Sequence, residues 1–191
     1  KKPILITTII GGTITRLITV LFSTYLVLWI QSFKGITPEQ AKDIYFTMMM
    51  ISVVVSCIVL PILGKFIDNS PAIRLAPWAF LARCIFTFFF YLLNAPNSIY
   101  AYTVCVCIVV STLCENNLID SVFAKNLSKA TRGMLFGMQM FFCNLGILLF
   151  SLAGGWLYDS FESKSGPFVL IGFMDFFYAV AVAYMVWKYK W

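Results

Sequence analysis

Between Arg132 and Asp159 the chain runs through 26 residues, 133–158, without one charged side chain. About 20 apolar residues in a helix suffice to cross the hydrocarbon of a bilayer. Five further stretches of this kind follow from the sequence. They are Ile4 to Phe33 (interrupted by Arg16), Ile44 to Leu63, Leu75 to Asn94 (interrupted by Arg83), Ile99 to Phe123 (carrying Glu115 and Asp120) and Phe168 to Trp187 (interrupted by Asp175). The runs are continuous rather than alternating, which argues for helices and against the short, polar-apolar strands of a barrel. The gaps are short. The expected fold is therefore all-α: a polytopic membrane protein, 1–191 forming a single six-helix membrane domain.

Composition agrees. Hydrophobic residues make up 61% and charged residues 12%, where a soluble domain carries roughly 25% charge. Lipid must be part of the solvent. The net charge of +6 does not point to nucleic acid, because the cations form no run or stripe and sit in the gaps between apolar segments. Partitioning them by gap puts Lys1, Lys2, Lys65, Arg74, Lys125, Lys129, Arg132, Lys188 and Lys190 on one side and Lys34, Lys42 and Lys164 on the other. Both chain ends are then expected on the cytosolic or equivalent side. Trp187, Tyr189 and Trp191 with Lys188 and Lys190 read as an interfacial anchor.

Enzymatic chemistry finds little material. There is no histidine, no nucleophile elbow, no Walker loop and no metal-ligand cluster. The cysteines Cys57, Cys84, Cys105, Cys107, Cys114 and Cys143 all lie inside apolar segments and read as small buried hydrophobes. No cofactor and no metal are expected. The chain opens Lys-Lys-Pro rather than with methionine, and the expectation is a fragment or a processed product.

The chain repeats itself loosely. "GKFID", Gly64 to Asp68, and "GWLYD", Gly155 to Asp159, share a Gly-x-x-x-Asp pattern, and Pro77 and Pro167 follow at similar distances, each taken to precede a helix. Arg83 and Asp175 then fall at matching depths. This suggests two triplets of helices, about 1–94 and 95–191. Three crossings separate the copies, so their topologies are opposite, an arrangement found in secondary transporters.

The residues "GKFIDNSPAIR", Gly64 to Arg74, and "RGMLFG…NLG…GGWLYD", in the fifth segment, resemble the second six-helix half of a major facilitator superfamily transporter. The first resembles that family's cytoplasmic loop, the second its glycine-rich fifth or eleventh helix. The sequence departs from the pattern at Asn69, where a basic residue often follows the aspartate, and in having Arg74 as the loop's single far-end cation. The resemblance implies alternating access to a central site for a small polar or anionic solute. It also implies a partner, either an N-terminal half or a second copy. The rival reading is a structural subunit derived from a transporter half.

Candidate site residues follow. In the resembled family the first helix of each triplet lines the cavity, which here singles out Arg16 and the run Glu115, Asn116 and Asn117. At about 1.5 Å per residue, Arg83 and Glu115 lie at similar depth and are the expected ion pair. Asp175 matches Arg16 in depth and is its candidate partner. Glu115 is also a candidate to carry a coupling proton. Gly64, Asp68 and Arg74 form the expected gating loop, with Asp68 just past segment two and within reach of the amides that open segment five. Gly133, Gly137, Asn144, Gly146 and Gly155 are the expected close-packing positions of segment five, since small residues let helices approach in lipid.

Overall fold

The computed structural model describes residues 2–68, 71–126 and 132–190, without the side chains of Lys2, Asp68 and Arg132. It contains no strand among these residues. The first span is α1 (Lys2–Val20), a π-helical turn (Leu21–Leu26) and α2 (Val27–Gln31). The others are α3 (Pro38–Asp68), α4 (Ala72–Phe89, closed by a 3-10 turn at Phe90–Leu92), α5 (Ile99–Asn126), α6 (Arg132–Ser160) and α7 (Gly166–Tyr189). Six spans are long and apolar enough to cross a membrane.

Helix α3 starts earlier and ends later than the hydropathy suggested, for reasons of capping. Thr37 accepts the Gln40 amide at 3.3 Å, and the Gln40 side chain accepts the Thr37 amide at 3.0 Å. This reciprocal cap, with Pro38 in the first turn, is written in "TPEQ". At the far end "GKFID" is helical. Asp68 is the last residue of α3 rather than a loop residue. Pro77, expected ahead of the third span, lies inside α4, as Pro61 lies inside α3. The Pro77–Pro167 match is thus offset, since Pro167 stands in the first turn of α7.

Packing is reciprocal. Helix α1 lies on α6 and α5, α5 on α3 and α4, and α4 on α7. At one end Trp29, Phe90 and Phe168 meet, with Phe90 and Phe168 stacked at 4.1 Å between centroids and Trp29 edge-on to Phe90 at 5.2 Å. This cluster joins the end of the first span, the end of α4 and the start of α7, which requires α7 to run opposite to the other two. Aromatic pairs of this geometry add about 0.5–1.5 kcal/mol each. Helix α1 is the most enclosed of the spans, while α3 and α6 turn Phe, Ile, Leu and Trp side chains outward. Outward apolar faces suit a lipid surround, where burial against lipid costs nothing.

The α1–α6 seam shows where small residues matter. A Cβ on Gly146 would sit 2.5 Å from the Thr13 methyl, and one on Gly154 would sit 2.8 Å from the Tyr25 hydroxyl. Tyr25 donates to the Ser151 carbonyl at 2.7 Å, and Tyr158 donates to that of Leu28 at 3.0 Å. Gly146 is therefore a packing position, as expected. Gly133 and Gly137 are not: among the described residues nothing lies within 4 Å of a Cβ at either. Gly155 meets its nearest neighbour, Tyr25, only at ordinary van der Waals distance, and Asn144 is exposed. The close approach falls one residue earlier, at Gly154, because that is the position facing α1.

Candidate functional site

Three charged side chains from three helices converge in the bundle: Arg83 of α4, Glu115 of α5 and Asp175 of α7, each with no exposed surface. Arg83 grips Asp175 with two donors, Nε to Oδ2 at 2.8 Å and Nη2 to Oδ1 at 2.5 Å. Its remaining terminal nitrogen, Nη1, reaches Glu115 Oε2 at 2.5 Å and Thr112 Oγ1 at 3.5 Å. The planar guanidinium suits this two-sided grip, since its donors leave in fixed, divergent directions. The face of the Phe80 ring lies 5.2 Å from the guanidinium carbon. Thr15 of α1 shares its single hydroxyl hydrogen between the Gly11 carbonyl at 2.8 Å and Glu115 Oε2 at 3.4 Å.

The two carboxylates are treated unequally. Both oxygens of Asp175 receive a donor from Arg83, whereas Glu115 Oε1 is buried with no hydrogen-bond partner among the described residues. Tyr178, one turn beyond Asp175, donates its hydroxyl to the Thr7 carbonyl at 2.8 Å. Gly11 makes room for that ring. Its hydroxyl is thus already engaged.

Beside this cluster a groove of about 270 Å³ opens on the bundle surface between α1, α3 and α5. Thr19, Ser23, Tyr45 and Thr112 supply hydroxyls, and Phe22 and Met49 supply apolar contact. Thr112 is shared: its hydroxyl lines the groove, accepts from Arg83, and donates to the Ile108 carbonyl at 2.8 Å. The groove and the ion cluster are therefore one side chain apart.

The groove continues into an exposed polar strip. Arg16 and Thr19 of α1 and Ser23 of the π-helical turn recur along the first span at helical spacing, and Asn117 and Asp120 recur along α5; all are exposed. Arg16 and Asp120 are close enough for their charges to interact. Arg16 also lies near Cys143 of α6. An exposed arginine and aspartate cannot face hydrocarbon at low cost.

The sequence-derived candidates thus divide. The structure joins Arg83 to Glu115, and it assigns Asp175 to Arg83 rather than to Arg16. The reason is lateral: α7 packs chiefly on α4, and equal depth along two helices does not make them neighbours. Glu115 is fully buried, Asn116 is half-buried and Asn117 is exposed, so the run divides and only Asn117 lies on the open strip. The expected gating loop is mostly helix. Gly64 lies within α3 with no neighbour within 4 Å of a Cβ, and Arg74 is exposed in the first turn of α4. The Asp68 side chain, and with it the expected contact to α6, lies outside the described residues.

Residues that sequence reasoning passed over are Thr15, Thr112, Thr19, Ser23 and Gln139. Each is a polar side chain in an apolar helix, which was the available signal, although most such hydroxyls only return to the carbonyl four residues back. Gln139 is buried against Gly12 with its Oε1 unpartnered among the described residues. No group of His, Cys, Asp or Glu among the described residues is arranged to hold a metal ion. Comparison with protein-family models, with curated proteins and with solved structures finds no match.

Proposed function

We propose that this chain is one six-helix half of a secondary transporter of the major facilitator type, moving a small polar or anionic solute by alternating access. One observation carries the reading. The strip Arg16, Thr19, Ser23, Asn117 and Asp120, with the hydroxyl groove beside it, lies on the outside of a bundle whose spans otherwise expose mainly apolar side chains, Asn144 and Ser151 of α6 being among the isolated exceptions and carrying no charge. A polar face inside a membrane needs either water or a partner. A second half laid over α1 and α5 would enclose it as a central cavity, with Arg16 available to an anionic group of the solute. The partner is an N-terminal half or a second copy of this chain.

The reciprocal packing supports the inverted-repeat reading. The first helix of each triplet packs on the second of the other (α1 on α6, α5 on α3), and the two third helices, α4 and α7, pack together. A twofold exchange of the triplets relates these contacts, while the close packing of α4 on α5 has only a slight counterpart in α7 on α1. The distribution of Lys and Arg between gaps, nine against three, supports both ends lying on the cytosolic or equivalent side under the positive-inside rule.

Thermal unfolding of the complete native protein in lipid, across a panel of small anionic and polar solutes, tests this. A true ligand stabilises by about 2.7 kcal/mol at a hundred times its dissociation constant. The expected result is stabilisation by one solute class that is lost in Arg16→Leu while the protein still assembles. No stabilisation anywhere in the panel, with Arg16→Leu assembling normally, removes the transporter in favour of a structural subunit.

A further inference from the structure

The buried cluster does not balance. Arg83 brings one positive charge, and Glu115 and Asp175 bring two carboxyl groups, all without exposed surface. With both acids ionised the cluster would hold one unit of net negative charge in a medium of low dielectric. An uncompensated charge of that kind is the costliest thing a protein interior can hold, and in practice such a group takes up a counter-charge.

The hydrogen bonds say where the surplus lies. Asp175 satisfies both oxygens on Arg83 in side-on fashion, so these two form a complete ion pair. Glu115 shares only Oε2, held by Arg83 Nη1 with the Thr15 hydroxyl at longer range, and its Oε1 has no hydrogen-bond partner among the described residues. Among the described residues no other cation compensates it. The titratable groups near Glu115 are Arg83 on α4, Asp175 and Tyr178 on α7, and Cys114 on its own helix. Helix α1 contributes Thr15, which does not titrate. Tyr178 has committed its proton to Thr7. A metal cation would need several oxygen ligands, and one free carboxyl oxygen is not such a site. A proton needs only one.

Exchange with the surroundings requires a route, and one is visible. Thr112 both touches Arg83 and lines the open groove between α1, α3 and α5. Thr112, on the same helix as Glu115 and one turn away, thus links the groove to Arg83 Nη1, the nitrogen that holds Glu115 Oε2.

We propose that Glu115 carries an exchangeable proton on its unpartnered oxygen. The proton enters and leaves beside Thr112, so that a solute seated in the groove controls the exchange. The last clause rests on the transporter reading; the proton itself does not. Asp175 and Arg83 act as positioning residues: their closed pair uses up the cation and leaves Glu115 to hold the proton.

Infrared difference spectroscopy on the complete protein in lipid vesicles tests each part. The expected signal at neutral pH is the carbonyl stretch of a neutral, unhydrated carboxyl, shifting on transfer to heavy water. Carboxyl carbon-13 labelling of glutamate moves it, while labelling of aspartate does not. The chain's glutamates are Glu39, Glu115 and Glu162, and the other two are exposed, Glu39 in the first turn of α3 and Glu162 in the turn between α6 and α7. Asp175→Asn abolishes the band although Glu115 remains, because the cluster is then neutral without a proton. Thr112→Val slows the heavy-water exchange, and a solute found to stabilise the protein slows it in the unaltered chain. Absence of the band, or a band that follows the aspartate label, overturns the proton assignment. Exchange at the unaltered rate in Thr112→Val overturns the route. The labelling arms need no substitution and so survive any variant that fails to fold. A band with no stabilising solute keeps the proton and removes the transporter; a stabilising solute with no band does the reverse.

Discussion

Replacing Arg83 by methionine should be the most damaging single change in the bundle. The substitution keeps most of the side-chain volume and removes the cation. Three carboxyl oxygens then lose an Arg83 donor: both oxygens of Asp175, and Oε2 of Glu115, which keeps only the long Thr15 contact. A buried acceptor left unsatisfied costs about 1–3 kcal/mol, so three set an upper range of about 3–9 kcal/mol. The two acids relieve part of this by protonating and bonding to each other. The expected loss is therefore about 3–5 kcal/mol, the range found when one partner of a buried pair is removed. Equilibrium unfolding of the purified protein in bicelles, followed by circular dichroism, measures it. The control is the neutral triple variant Arg83→Met, Glu115→Met and Asp175→Leu, which should recover most of the loss, because a packed apolar cluster carries no desolvation penalty. A loss under about 1 kcal/mol in Arg83→Met, or a triple variant as unstable as the single, would refute the account of a dry and cation-dependent cluster.

Further outcomes follow from the same geometry. Glu115→Gln should change stability by less than about 1 kcal/mol, whereas Asp175→Asn should cost about 1.5–3 kcal/mol, since only the second breaks a two-donor charged contact; parallel unfolding curves compare them. Gly146→Val should destabilise by about 1–3 kcal/mol through overpacking on Thr13. Gly137→Ala, with open space above it, should instead stabilise the helix of an isolated chain by about 0.5–1 kcal/mol; a thermal melt of each reads the sign. Tyr25→Phe removes the hydroxyl that bonds the Ser151 carbonyl and should cost about 0.5–1.5 kcal/mol, read by amide hydrogen exchange in the C-terminal half of α6.

The sequence by itself determined the solvent and the elements. Uncharged runs longer than a bilayer is thick can satisfy their backbone groups only as helices, so the six spans were legible, with ends displaced by caps such as Thr37–Gln40. It also determined that Arg83, Glu115 and Asp175 need company, because an intramembrane charge without a partner is too costly. Tertiary structure alone decided which company. Arg16 and Asp175 match in depth, yet α7 packs chiefly on α4, so Arg83 takes both acids and Arg16 is left on the open strip near Asp120. The glycines of α6 divide in the same way. Their small size is written in the sequence, but only the rotation of α6 against α1 sets Gly146 and Gly154 at the seam and turns Gly133 and Gly137 away. Depth is a one-dimensional quantity that residue counting supplies. Lateral adjacency and helix rotation are set by how side chains of different helices interlock, and no count along one chain contains them.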